Sequence, residues 1–531
     1  MMKRYLIISL LAIAGCSKVN DAENANLPPS ITLKISDKTP AVGAVVQFVA
    51  EVSDPNPGDS VTVTWTVSDG ELSASTGLTV DWTAPDDTTT VLVEALASDG
   101  NGGNTRAEIY LPVGNSPPEI TQFIASSSHV ITGNSIILRC SGSDAEGSEL
   151  TYQFTDLSGE GLFEHGSALL DSAKWTSPII SSAAEKYLLE VTVADELNFV
   201  SKDTLEILVY TNYGSVWVVD GGHRSLTKYT SNGLQVLTAN YAFVNPVSVV
   251  SNINEPYGCF VADQGANQVV QISADGEPVA TFPELSFVSD LAIHYASRKV
   301  WAVSYGSSSV TVIDVIIGAV EKTVSGFVNP TAIEINQRTG DVWILEEGNN
   351  RAIQLNVNSG ITGLPDSIST ENANIFRTGF NAPHRLCFHN IKSDNLLSYV
   401  YIADLYDDQI ERIKFEDNVF EQLGPVDLLS PNPVLLDVIS LNLKDYVLVV
   451  NSYGRLELFE EASPQQKHTL NGNYEFIKPV AMHLDARTNE CWIGDTGTNQ
   501  LVKIKINNDY SFSVIRKISG FLAIKGIAVN M

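Results

Sequence analysis

Cysteine is scarce in this sequence. Five occur in 531 residues, with no CxxC pair and no regular spacing, which argues against a disulfide-rich scaffold or a paired-cysteine metal module. Basic residues are few as well: 32 Lys and Arg stand against 62 Asp and Glu, for a formal net charge of −30. That balance opposes attraction to phosphate backbones and anionic headgroups, so nucleic acid is not an expected partner. The acidic residues form no long block and hydrophobic residues make up 44% of the chain, a composition that favours folded domains over disorder. There is no GxSxG elbow, HExxH helix, P-loop or dinucleotide-binding glycine fingerprint, so none of the chemistries those motifs carry is expected. A chain of this length exceeds what one hydrophobic core serves, and several domains are expected.

The N-terminus reads as an address. Lys3 and Arg4 precede an apolar run over residues 5–13, a secretory signal too short to span a bilayer. Ile13-Ala14-Gly15-Cys16 resembles the bacterial lipobox. The resemblance implies that residues 1–15 are a lipoprotein signal peptide and that Cys16 becomes the lipidated N-terminus, a membrane anchor that needs no transmembrane helix. Ser17 after the cysteine resembles an outer-membrane sorting pattern. The expected place is therefore the cell envelope, lipid-anchored, at the outer membrane (periplasmic face or cell surface) rather than the inner membrane. Residues 16–27 are polar and aperiodic, as a flexible tether would be.

Two copies of one unit follow, about 90 residues each, the size of a small β-sandwich. Pro28-Pro29-Ser30-Ile31-Thr32 matches Pro117-Pro118-Glu119-Ile120-Thr121, and Trp82-Thr83-Ala84-Pro85 matches Trp175-Thr176-Ser177-Pro178. From Val61 to Val67 the odd positions are apolar and the threonines even, the alternation of a strand with one wet face. Asp69-Gly70 and Asp99-Gly100 supply turns. Residues 28–115 and 116–210 resemble PKD and related Ig-like modules, which implies spacing or adhesion rather than chemistry. Asp54, Asn56 and Asp59 in the first copy, with Asp144 and Glu146 in the second, offer oxygen ligands that suit calcium; the same residue types also cap turns. Calcium is the one cofactor these residues suggest.

From residue 212 the period shortens to about 41–46 residues, with roughly four short strands per unit. A strand-and-turn phrase recurs at Val216-Trp217-Val218-Val219-Asp220, Cys259-Phe260-Val261-Ala262-Asp263, Val300-Trp301-Ala302-Val303-Ser304 and Val342-Trp343-Ile344-Leu345-Glu346. It returns at Val400-Tyr401-Ile402-Ala403-Asp404, Val447-Leu448-Val449-Val450-Asn451 and Cys491-Trp492-Ile493-Gly494-Asp495. The series opens on what is elsewhere a second strand and ends, at Lys525-Gly526-Ile527-Ala528-Val529-Asn530, on the missing first one. The C-terminus is therefore expected to complete the first unit and leave no open edge. The phrase closed by Asp-x-Gly-x-Asn resembles NHL and YVTN-type repeats over residues 212–531. The fold class is all-β: two Ig-like β-sandwiches followed by a seven-bladed β-propeller, six blades being the alternative if residues 358–381 hide a broken unit.

The turns that enter the innermost strands share one rim with the turns after the second strands. The expected ligand-binding rim comprises His223, Arg224, Tyr305, Glu346, Glu347, Tyr406, Asp407, Asp408, Tyr453, His384 and Arg385, with Asp220, Asp263, Asp404 and Asp495 there as well. Strand-ending acids also serve to bind backbone N–H groups of the next turn. Pro383-His384-Arg385-Leu386 resembles the phrase of NHL-type amidating lyases, which implies a central metal held by several histidines. Val247, Thr331, Val480 and Lys525 occupy the equivalent places here, so only His294 and His483 remain as partners for a three-ligand site. Cys140, Cys259, Cys387 and Cys491 are expected to be buried, and Trp217, Trp301, Trp343 and Trp492 to pack between blades. No catalytic residue is assigned. The leading expectation is a membrane-anchored binding or scaffold lipoprotein whose rim engages a protein, peptide or glycan. A metal-dependent lyase or lactonase and a calcium-stiffened surface adhesin are the alternatives.

Overall fold

The computed structural model describes residues 26–145, 147–164, 171–253, 258–355, 364–369, 373–376, 380–390, 398–416, 419–485 and 487–530. The lipobox with Cys16, and Glu146, lie outside the described residues. Those described are strand and turn, apart from one short 3-10 turn at Gln264–Ala266. Among them no helix is long and apolar enough to cross a membrane. The chain divides into two compact units: Met1–Ser126 with Ile136–Thr176 and Leu188–Glu206, and Ser127–Ser135 with Ser177–Tyr187 and Ile207–Met531.

In the first unit one four-stranded sheet carries Ser30–Ile35, Val45–Ser53, Thr79–Thr83 and Glu71–Leu72, and a three-stranded sheet carries Thr62–Val67, Thr89–Ser98 and Asn104–Val113. Along Thr62–Val67 the threonines are exposed while Val63 and Trp65 are buried, the pattern the alternation predicts. Phe48 sits between Trp65 and Trp82, with ring centroids 5.6 and 5.5 Å away. Each indole N–H finds a carbonyl, Trp65 that of Gly77 at 2.8 Å and Trp82 that of Asp69 at 3.0 Å. The Asp69-Gly70 turn needs its glycine: φ is +80° there, and a Cβ would lie 2.5 Å from the Trp82 indole nitrogen. Two further four-stranded sheets follow. One carries Glu119–Ala125, Ser135–Ser143, Ser172–Thr176 and Leu162–Phe163; the other carries Thr151–Asp156, Ala184–Ala194 and Val200–Tyr210, and His129–Ile131 pairs in parallel with Leu208–Tyr210, both of which belong to the second unit.

Among the described residues of the second unit seven sheets succeed one another, antiparallel except where the short Asn471–Gly472 strand joins the last of them in parallel, and six of them are built of consecutive strands. The remaining sheet takes Val216–Asp220, Ser225–Tyr229 and Gln235–Thr238 from its beginning and Ile524–Val529 from the C-terminus, in the register Trp217 to Ala528 and Val218 to Ile527. The innermost strands, in ring order, are Ile524–Val529, Pro246–Asn252, Val288–His294, Pro330–Ile335, Pro383–Asn390, Pro433–Leu441 and Pro479–Asp485, and the last adjoins the first. This is a β-propeller. Its second strands, such as Val216–Asp220 and Val342–Glu346, are buried at every position because neighbouring sheets cover both faces, which is why they read as unbroken apolar runs. Trp217, Trp301, Trp343 and Trp492 are buried in the clusters between sheets. Cys140, Cys259, Cys387 and Cys491 are buried thiols.

Candidate functional site

At the end of the ring where the innermost strands begin, the strand-ending acids hold the loops. Asp220 accepts the N–H groups of Leu522 and Ala523 at 2.9 Å. Asp263 accepts those of Val244 and Asn245, and Asp495 those of Ile477 and Lys478. Asp404 accepts the N–H of Asn381 at 2.8 Å. Burial alone raises the pKa of Asp220, but these donors and His223 outweigh it and hold the carboxyl below its usual range. Glu346, expected on the rim as a ligand group, is fully buried. It takes both Arg351 guanidinium contacts and the Val328 N–H, because an acid closing a second strand points back under the incoming loop.

The other rim residues stand outside this scaffold. Tyr406 and Tyr453 are 69% and 63% exposed, Tyr305 about half as much, and Arg224, Glu347, Asp407 and Asp408 are exposed in the same turns. His223 holds Asp220 through Nδ1 at 2.7 Å and keeps an open edge. Sequence reasoning missed what lies between them. Val244, Phe287, Val328, Leu429, Ile477 and Leu522 are exposed apolar side chains, each on the loop leading into an innermost strand. Those loops are tied to the tyrosine-bearing turns by backbone bonds such as Tyr305 N–H to the Phe287 carbonyl, 3.0 Å. The rim is therefore an apolar ring studded with tyrosines, as much as an acidic face. The signal was present: an apolar residue one to four positions before the first residue of six innermost strands.

Inside the ring is a cavity of about 710 Å3 walled by the innermost strands. Each of these strands bulges at its second residue, and a bulge re-aims every side chain after it. His384 and Lys525 are such bulge residues and are exposed at the mouth. One position deeper, Arg385 reaches from the fifth sheet to Asp290 of the third, Nη1 to Oδ2 3.2 Å; the fourth sheet has the small Ala332 at that level. Asp290 also accepts the Ser248 hydroxyl at 2.9 Å and the Ile333 N–H at 3.3 Å.

Two positions deeper still, Glu334, Cys387, Asp437 and His483 share one level. Burial, then the charges of Asp290 and Asp437, pushes the Glu334 pKa up to about 8. Burial raises Asp437 to about 6 and lowers His483 to about 4. The His483 Nε2 is buried without a partner. His294, His384 and His483 thus occupy three different levels of the channel, and the three-histidine metal site does not form. His294 instead bonds Ser297 at 2.8 Å.

In the first unit, Asp54 and Asp59 come together with Asp99, their oxygens within 4.8 Å of one another. Asn56, named with them from the sequence, turns its Oδ1 to the Leu27 N–H at 2.8 Å. Asp99 was legible only as a turn residue. Asp54 Oδ2 is buried without a partner.

No protein-family model matches the chain, and no curated protein matches it. Similar solved structures include a functionally unknown protein from Desulfotomaculum acetoxidans DSM 771, 15% identical with a TM-score of 0.48, covering 59% of this chain and 98% of that one. A putative 6-phosphogluconolactonase from Bacteroides uniformis is 12% identical with a TM-score of 0.46 over the same shares. Virginiamycin B lyase from Staphylococcus aureus is 14% identical with a TM-score of 0.38, covering 52% of this chain and 84% of that one. The likeness is one of fold.

Proposed function

We propose that this is an exported, lipid-anchored binding protein of the bacterial cell envelope, held at the outer membrane through Cys16. Two Ig-like sandwiches carry a seven-bladed propeller whose rim engages a protein or peptide. The observation that carries the reading is the ring of exposed apolar residues, Val244, Phe287, Val328, Leu429, Ile477 and Leu522, beside Tyr305, Tyr406 and Tyr453. Isolated apolar residues are ordinary on a surface, whereas an apolar set repeated around one rim marks a contact surface. Aromatic anchors supply much of the binding energy of such surfaces. Arg224, Glu347, Asp407 and Asp408 give it a polar margin, as interfaces have. Replacing Tyr406 and Asp407 together by alanine should abolish capture of the partner while leaving the melting temperature nearly unchanged; capture at the wild-type level would reject this rim.

A second reading, a lyase or lactonase, is favoured by one observation: Glu334, Asp437 and His483 share one level of the channel wall, where burial pushes the Glu334 pKa up to about 8, as suits a general acid or base. If it holds, Glu334→Gln abolishes turnover of a lactone or lyase substrate and leaves rim binding intact. Failure to find turnover in the wild type over a panel of such substrates would count against it.

A further inference from the structure

At the far end of the ring, away from the tyrosine-bearing rim, His389 stands near the end of the fifth innermost strand and faces two carboxylates of the sixth sheet. Its Nδ1 is 2.8 Å from Glu461, and its Nε2 is 3.8 Å from Asp445. Each of the three offers a ligand atom, all within 4.8 Å of one another. We propose that His389, Asp445 and Glu461 bind one divalent transition cation of the zinc type and so clamp the fifth sheet to the sixth.

Zinc bonds to imidazole nitrogen and carboxylate oxygen are about 2.0–2.2 Å long, so its ligand atoms lie at most about 4.4 Å apart, and the cluster needs only a small contraction to meet that. One imidazole with two carboxylates is a donor set that suits such an ion better than calcium, which takes oxygen alone. The charge points the same way. Glu461 is 10% exposed and His389 16%, and among the described residues the ion pairs of Asp445 and Glu461 are with His389 alone. Protonating the imidazole leaves one negative charge over, and a dication on the neutral imidazole leaves none.

The surroundings fit as well. The buried Tyr401 donates its hydroxyl to Glu461, and Ser440 donates to Asp445, the kind of outer hydrogen bonds that orient metal-binding carboxylates. His389 and Ser440 both border the central cavity, which gives an ion a route in. Asp445, 40% exposed, leaves one side open to a water ligand.

Calorimetric titration of the chelator-treated full chain with zinc chloride, and cobalt absorption spectra in parallel, test the site. One equivalent should bind, with a nitrogen–oxygen cobalt spectrum and a higher melting temperature. His389→Ala and, as a milder change, Asp445→Asn should lose that equivalent while Asp54→Asn keeps it. Tyr401→Phe should weaken it by about 10–100-fold, as outer hydrogen bonds do. Absence of zinc uptake by the wild type, or an equivalent that survives in folded Asp445→Asn and His389→Ala, would overturn the proposal without touching the rim reading.

Discussion

Trp217 stands directly opposite Ala528, in a ladder that joins the first strand of the ring to its last. The same level recurs around the ring: Trp343 stands opposite Glu334 and Trp492 opposite His483. The recurrent aromatic of the second strands, replaced by Leu448 in the sixth sheet, thus marks the level of the channel that holds Glu334, Asp437 and His483, and the closing strand contributes a small, neutral residue to it.

Removing residues 524–530 should leave the Val216–Asp220 edge and the neighbouring sheet faces uncovered. Unpaired edges invite association. The truncated protein is expected to lose its cooperative thermal transition and to elute as aggregate in size-exclusion chromatography. A monomer melting at the wild-type temperature would show that the closure contributes nothing.

Glu346→Ala leaves Arg351 buried without its carboxylate. Breaking a buried pair from one side costs about 3–5 kcal/mol, and the urea midpoint should fall accordingly. The loss of the bond to Val328 N–H should also loosen the rim loop, seen as faster amide exchange around Val328.

Glu334 binds its proton more tightly in the folded chain than the usual 4.5, up to about 8. Between those values the folded state holds more protons than the unfolded one, so its contribution to stability falls as pH rises. Glu334→Gln removes that decline. The variant should gain on the wild type steadily from about pH 5 to pH 8, by on the order of a few kcal/mol at the top, since a tenfold change in proton affinity is worth about 1.4 kcal/mol. A difference independent of pH in denaturant melts would refute the assignment.

Asp54, Asp59 and Asp99 bring three carboxylates together in the first unit. If Asp54 and Asp59 bind calcium as the sequence suggested, with Asp99 in place of Asn56, millimolar calcium, the range of extracellular modules, should raise the melting temperature, chelator should reverse the rise, and Asp59→Asn should abolish it. No shift would dispose of the calcium-stiffened adhesin.

The period of the repeats, the alternation at Val63 and Trp65 and the return of the chain at Ile527 were legible because burial on one face or on two leaves its pattern in the sequence. The channel was less so. His384 stands one residue after the proline that opens its strand and His483 four after its own, so they lie at different levels, while Glu334, Asp437 and His483 each stand four residues after such a proline and share one; that all seven strands bulge at the second residue, which sets the side chains beyond it, is not visible in the sequence. Glu346 looked like its exposed neighbour Glu347, because nothing local tells which of two adjacent acids turns inward to Arg351. Asp99 and Glu461 were hidden by distance along the chain, since their partners come from other strands.

Site-specific photo-crosslinking in cells tests most directly whether the apolar rim receives a partner. Probes placed at Phe287, Leu429 and Leu522 should give one discrete protein or peptide adduct in common, and probes at Ile316 and Leu443, exposed turns at the opposite end of the sheets, should give none. Adducts of equal yield from both ends, or none from the rim, would contradict the proposed function.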